Sequence, residues 1–214
     1  SIGSRMFVEP GDLVSIENLI KGLVVQSGND AAVALAEYVA GSEAAFAEMM
    51  NQAAAGLNLN GTHYVNSTGL PHPDHFSTAR DISRLAAVIT QQFPEHYRYY
   101  SIKEFGWKGI RQKNRNTLLW RDKTVDGVKT GHTRSAGYCL VGSAERDGMR
   151  LIASVLGAQS KTKRADAVYA LLRYGFASYD SKTVYRGGSK VVTAEVYKSA
   201  SPSLAVGVLS LIHI

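Results

Sequence analysis

The chain has 214 residues, 45% of them apolar, with a formal charge of +6 and one cysteine. That length suits one sizeable domain, or one domain and part of another, and the apolar share excludes a disordered chain. No run approaches the ~18 apolar residues of a membrane span, no secretory leader opens the chain, and a lone Cys139 excludes an internal disulfide.

The chain starts at Ser1-Ile2-Gly3-Ser4 without an initiator Met, so its start reads as internal. Met6-Phe7-Val8 followed by Glu9-Pro10-Gly11-Asp12 reads as a strand end and a turn. Ser15 then caps a helix whose Ile16, Leu19, Ile20, Leu23 and Val24 form one apolar stripe. That helix stops near Gln26-Ser27-Gly28. Asn29 or Asp30 caps a second, Ala31 to Ala40, closed by Gly41. Ser42 opens a third that ends at Gly56, with Phe46, Met49 and Met50 expected to point inward. His63-Tyr64-Val65 is too short to classify, and Asn66 to Phe76 is loop. Thr78 and Asp81 form a capping-box pattern for a helix carrying Ile82, Leu85, Ala86 and Ile89. Pro94 ends that region, and a short helix follows through Tyr100.

From there the period changes to two. Strand candidates are Lys103–Trp107, Gly109–Gln112, Gly127–Thr130, Gly137–Ala144 and Met149–Leu156, the last two joined by an Arg146-Asp147-Gly148 hairpin. Cys139, inside a strand-like run, is expected to be a buried small hydrophobe. A helix with Ala165, Val168, Tyr169 and Leu172 on one face closes at Gly175. Helices first, then an antiparallel sheet with a helix across it, make an α+β arrangement of a helical lobe and a sheet lobe. Thr183–Arg186 and Val191–Tyr197 look like strands of a second unit. The expected division is therefore a partial domain over 1–178, the start of a small β-rich domain over 179–208, and a non-native tail at 209–214.

The charge suits an acidic partner, but at this size it reads as a solvated basic surface. The densest basic run, Arg111 to Arg115, has no interleaved aromatics, which argues against a nucleic-acid partner. His72-Pro73-Asp74-His75 resembles a metal cluster, yet no further ligand group accompanies it at a sensible spacing, and no metal is expected.

Two short motifs carry chemistry. Lys129-Thr130-Gly131 ends a strand: a lysine supplies fixed positive charge, a threonine an adjustable hydroxyl, and a glycine leaves the backbone open to a ligand. A strand bordering a cleft can also pair with an extended peptide. Ser27-Gly28-Asn29 sits at a helix junction, where Ser27 can relay a proton and Asn29 can donate to and accept from a substrate amide. Each alone is compatible with a turn or a cap. Together, about a hundred residues apart, they are more specific.

With Ser27 to Ala36, Val125 to Thr133, Gly109 to Gln112, Asn114 to Asn116, Leu118 to Trp120 and Ser77 to Asp81, the chain resembles the low-molecular-mass penicillin-binding proteins, serine-type D-alanyl-D-alanine carboxypeptidases of the peptidase S11 type. The likeness runs from about Gly3 to Gly175 and more loosely towards Tyr197. It implies a β-lactamase/transpeptidase-like fold truncated at both ends. It also implies removal of the terminal D-alanine from a peptidoglycan stem peptide through an acyl-enzyme, without a cofactor, and covalent inhibition by β-lactam antibiotics. Carried over by the resemblance, Ser27 joins the proton relay and Asn29 bonds the substrate amide. Lys129 and Thr130 hold the terminal carboxylate, Gly131 and His132 shape the same wall, and Arg164 is a second carboxylate-binding cation. Export beyond the cytoplasmic membrane, with a membrane tether only through a C-terminal segment not in this chain, is implied on the same ground.

One departure matters. The family's nucleophile is the serine of Ser-x-x-Lys upstream of Ser-x-Asn, and here the only Ser-x-x-Lys is Ser160-Lys161-Thr162-Lys163, after Lys-Thr-Gly. It reads as the start of a basic surface helix whose exposed lysine keeps too high a pKa to act as a base. The chain as it stands is therefore expected to be inactive and, with apolar faces left uncovered, poorly soluble. The competing readings are a class A β-lactamase, which needs an acidic residue on a loop between the two motifs, though no Glu-x-x-Leu-Asn-type segment lies between Ser27 and Lys129 and Ser-Gly-Asn stands in place of Ser-Asp-Asn, and a non-catalytic peptidoglycan-binding module.

Overall fold

The computed structural model describes residues 3–182, 188–195, 197 and 203–207. The expected strand Thr183–Arg186 and the tail 209–214 lie outside the described residues.

The first lobe is helical. Helix α1 (Ile16–Gln26) begins as expected, with Ser15 Oγ accepting the Asn18 N–H at 3.2 Å. Its buried residues are Leu19, Gly22, Val24, Val25 and Gln26, so Leu19 and Val24 of the predicted stripe are buried, whereas Ile16 is exposed and Gly22, Val25 and Gln26 extend the buried face beyond it. The extension at Gly22 has a steric cause: fully buried Met6 plugs the helix where Gly22 lacks a side chain, and a Cβ there would lie 2.2 Å from Met6 Sδ. Residues 6–8 are not a strand. Phe7 has φ +72°, and the N–H groups of Met6, Phe7 and Val8 donate to the Asp30 carboxylate at 2.7–2.9 Å. So Asp30 does not cap helix α2 (Asn29–Ala40); Gly28 occupies the N-cap without a side-chain bond. In helix α3 (Glu43–Gly56), Ser42 caps as expected, but the buried residues are Ala47 and Ala54, and Met49 is exposed.

Asp30 is a structural hub with a testable energy. Burial opposes its charge, but the N–H groups of Met6, Val8, Ala31 and Phe7 outweigh burial and hold the carboxyl below the usual carboxylate range. Asp30→Ala is expected to lower the unfolding free energy by about 3 kcal/mol in urea titrations near neutral pH. Because the folded-state pKa lies below the unfolded one, that contribution is present above the ordinary carboxyl range and is lost as pH falls through the depressed value. The stabilities of parent and variant should therefore converge in acid; a pH-independent difference would contradict this account.

Helix α4 (Ala79–Gln92) has half a capping box. Thr78 Oγ1 accepts the Asp81 N–H at 3.1 Å, while the buried Asp81 carboxylate turns instead to the Gly61 N–H and the Thr62 hydroxyl, both at 2.8 Å. Short helix α5 (Pro94–Tyr97) and a 3₁₀ turn (Arg98–Ser101) lead to an antiparallel hairpin, β1 (Glu104–Trp107) and β2 (Ile110–Lys113), and then to helix α6 (Leu118–Arg121).

The main sheet is antiparallel with order β3 (Val125–Thr133), β4 (Gly137–Arg146), β5 (Met149–Ala158). Asp147 (φ +49°) and Gly148 (φ +79°) supply the two positive φ angles of the predicted hairpin. One face packs Val125, Leu140 and Ala144 against Leu118 of α6 and Val168 and Leu172 of helix α7 (Lys161–Ser178). The other packs Val128 and Val141 against Ala86 and Tyr97. Helix α7 continues past Gly175, which is a packing glycine: a Cβ there would lie 2.5 Å from Leu151 Cδ1. Cys139 is only half-buried, at the end of β4 beside Gly131, so the expectation of a buried hydrophobe fails because that end of the strand borders a cleft. Strands β6 (Lys190–Glu195) and β7 (Ser203–Gly207) pair antiparallel. Among the described residues no helix is long and apolar enough to cross a membrane.

Candidate active site

Strand β3 has a hydrogen-bonded strand neighbour on one side only, β4, so among the described residues no strand pairs with its outer edge. That edge forms one wall of a cleft of ≈ 890 Å³. Ser27, Asn29, Lys129, Thr130, Gly131, His132 and Arg164, the whole predicted set, line it.

Ser27 arrives from the end of α1. It adopts a left-handed conformation (φ 57°, ψ 42°), and the next N–H, of Gly28, returns to the Gly22 carbonyl at 3.2 Å. A non-glycine residue in this region is strained, and the strain aims its hydroxyl across the cleft. Lys129 Nζ donates to Ser27 Oγ and, at 3.0 Å, to the Thr130 carbonyl. One bond thus joins the helical lobe to the sheet edge, over 102 residues of sequence. Burial pushes the Lys129 ammonium down to about 8, and the neighbouring charges of Arg115 and Arg164 push the same way.

Asn29 opens α2, and its N–H donates to the Ser4 carbonyl at 2.8 Å. Gly3 comes so near that a Cβ there would lie 2.8 Å from Asn29 Nδ2, so residues 3–8 border the site. Thr130 is buried on β3, while Gly131 and His132 are exposed; the His132 and Tyr138 rings lie 4.0 Å apart.

Arg164 is not the solvated helix start its lysine neighbours suggest. It is 4% exposed, and its Nη1 donates to the carbonyls of Gly131 (3.0 Å) and Cys139 (3.2 Å), which face each other across β3 and β4. Ser160, by contrast, caps α7: its Oγ accepts the Lys163 N–H at 3.1 Å, and Lys163 Nζ turns to Gln159 Oε1. Lys161 and Lys163 are exposed, as expected of a surface helix start.

Two supports of the wall were not visible as site residues. Asp126 accepts from the Tyr97 hydroxyl (3.0 Å) and from both guanidinium nitrogens of Arg150 (2.9 and 2.8 Å), bracing β3 from behind. Buried Asn116 donates from Nδ2 to the Gly127 carbonyl at 3.0 Å. The sequence signal for the second was the Asn114-Arg115-Asn116 alternation, which places two anchors around a projecting arginine.

The histidine-rich loop is built differently. His63 Nδ1 meets the Asp74 carbonyl, His72 Nδ1 accepts the Asp74 N–H, and His75 Nδ1 accepts the Val65 N–H. These rings staple the loop to itself. Among the described residues no three His, Cys, Asp or Glu side chains gather as a metal site.

Residues 1–160 match the family model described as D-alanyl-D-alanine carboxypeptidase, Peptidase_S11. The chain is 44% identical over 206 residues to D-alanyl-D-alanine carboxypeptidase DacD of Escherichia coli, covering 95% of this chain and 53% of that protein. Against DacC of the same organism it is 45% identical over 195 residues, 91% of this chain and 49% of that one. The chain thus spans about half the length of the curated relatives it matches. Among solved structures, penicillin binding protein 5 from Haemophilus influenzae superposes with a TM-score of 0.92 at 38% identity, over 100% of this chain and 62% of that one. The Streptomyces K15 DD-transpeptidase superposes with a TM-score of 0.76 at 31% identity, over 82% and 72%.

Proposed function

The chain belongs to the D-alanyl-D-alanine carboxypeptidase family, and from that premise we propose that its cleft holds the D-Ala-D-Ala end of a peptidoglycan stem peptide for a serine-type carboxypeptidase reaction. The observation that carries the reading is the Lys129–Ser27 bond across the cleft, beside Asn29 and below an unpaired strand edge.

In this reading the peptide lies along β3, its amide against Asn29 and its terminal carboxylate against Lys129, Thr130 and Arg164, with Gly131 and His132 completing the wall. A serine hydroxyl attacks the carbonyl between the two D-alanines, and a lysine amine takes its proton. Ser27 and Lys129 pass that proton to the leaving nitrogen, free D-alanine departs, and water then hydrolyses the ester. The attacking serine is that of a Ser-x-x-Lys outside these 214 residues, because Ser160 spends its hydroxyl on a helix cap and its lysine is exposed. A β-lactam would acylate the same serine. The work is extracytoplasmic, where the polymer is. Residues 1–178 form part of the catalytic domain, and the β6–β7 pair begins a second, β-rich one.

Fluorescent penicillin decides the matter. The 214-residue chain should remain unlabelled, while the protein extended upstream through a Ser-x-x-Lys should label on that serine and release D-alanine from a D-Ala-D-Ala peptide. Labelling at Ser160, or an extended protein that neither labels nor releases D-alanine, would refute the reading.

A further inference from the structure

The cleft holds more positive charge than one terminal carboxylate can answer. Lys113, Arg115, Lys129, Lys161 and Arg164 all line it, and no Asp or Glu does among the described residues. Most of these cations are otherwise engaged or peripheral. Lys129 bonds Ser27 and the Thr130 carbonyl, Arg164 bonds two strand carbonyls, and Lys113 lies 3.8 Å from the Glu104 carboxylate.

Arg115 is different. Its side chain is exposed and makes no hydrogen bond or ion pair with any described residue. It is nevertheless near enough for its charge to act on both Lys129 and Arg164. Its backbone is held firmly. Buried Asn114 binds the Lys103 carbonyl through its N–H (2.7 Å) and the Ile102 carbonyl through Nδ2 (2.9 Å), and buried Asn116 binds Asn114 Oδ1 and the Gly127 carbonyl. A free surface arginine is commonplace. One mounted on two buried anchors, facing two like charges and five unused N–H donors into a cleft without carboxylates, fits an anionic group of the ligand.

We propose that Arg115 is a specificity residue that receives a second carboxylate of the peptide, so that the cleft favours acidic peptides carrying a negative charge besides their chain terminus. The inference rests on reading the cleft as a D-Ala-D-Ala peptide site. The terminal carboxylate takes Lys129 and Arg164, and the second carboxylate forms a forked pair with Arg115.

Calorimetric titration tests it without needing turnover, the parent chain being the protein extended upstream through its Ser-x-x-Lys with that serine replaced by alanine. Two peptides would be compared, both ending in free D-Ala-D-Ala, one with a carboxylate on a preceding side chain and one with that carboxylate amidated. The acidic peptide is expected to bind about tenfold more tightly, with a preference that shrinks as salt rises. Arg115→Gln should bring the ratio of the two affinities to about one, and Arg115→Lys, which keeps the charge, should retain part of it. An equal affinity of the parent chain for both peptides overturns the inference. So does a ratio that survives Arg115→Gln, since another cation would then be reading the charge. If neither peptide binds the parent chain, the peptide-site reading fails together with the inference; if both bind alike, only the inference fails.

Discussion

Lys129→Met is expected to make the fold more stable while lowering the reactivity of the extended protein towards penicillin. The two effects share one cause. The ammonium sits partly buried between Arg115 and Arg164, and burial with their repulsion lowers its pKa from 10.5 to about 8. For a cation whose folded pKa lies below its unfolded pKa, the charged form is penalised by folding at every pH below the folded value. The penalty is relieved as pH rises from about 8 to 10.5, where only the unfolded chain still binds the proton. Methionine removes the charge at similar volume, so at pH 7 the variant should gain on the order of 1–3 kcal/mol, less whatever the bonds to Ser27 and Thr130 contribute. The gain should disappear by pH 10.5. Chemical denaturation at pH 7 and pH 10 measures it; a destabilised variant at pH 7 would mean that the Ser27 bond outweighs desolvation. In the protein extended through its Ser-x-x-Lys, acylation by penicillin should fall by about 10³-fold, the scale of losing a preorganised electrostatic group. Stability given up for a charged group is the expected mark of a working site.

Arg164→Met is the second large effect, and it separates binding from scaffolding. Arg164 is buried and crosses the end of the β3–β4 pair, with Nη1 on the carbonyls of Gly131 and Cys139 and its guanidinium 5.7 Å from the Tyr138 ring. A role as a strut alone would affect every ligand equally. A role in holding the chain terminus should affect ligands with a free carboxylate most. For the extended protein, the ratio of kcat/KM on a D-Ala-D-Ala peptide to that on its C-terminal amide should fall about 100-fold in Arg164→Met, matching the loss of a forked charge-assisted bond. Arg164→Lys should recover only part of the ratio, because a point charge does not reproduce the planar fork. A uniform fall on acid and amide alike would reduce Arg164 to a strut.

The reach of the sequence differs from residue to residue. Local chemistry was readable: Ser15, Ser42 and Thr78 cap the helices they were expected to cap, and Asp147-Gly148 turns the hairpin. In these cases the partners lie within a few residues, so the pattern contains the whole interaction. The strands between Glu104 and Ala158 were readable too, because alternation and the short turns between neighbouring strands are local, whereas β7 carried no such signal. What went astray depended on distant partners. The inward face of α1 was only partly placed, because Met6 docks against Gly22, and Asp30 reads as a cap although residues 6–8 fold back onto it. Asp81 left its capping box for Gly61 and Thr62, and Gly175 proved to be a packing glycine beneath Leu151.

The same division holds at the site. The residue types Ser27, Asn29, Lys129, Thr130 and Gly131 were written in two short motifs, since proton relay, amide pairing and anion binding each require those groups. Their meeting in one cleft was not, because it depends on a helix terminus in a strained conformation reaching a sheet edge 102 residues later. Arg164 and Arg115 mark the boundary most clearly. Both sit in basic runs that look solvated in one dimension. Only the tertiary structure buries the first beneath two strand carbonyls and leaves the second unpaired on two buried asparagines, because burial and charge compensation are properties of the packed lobes and not of neighbours along the chain.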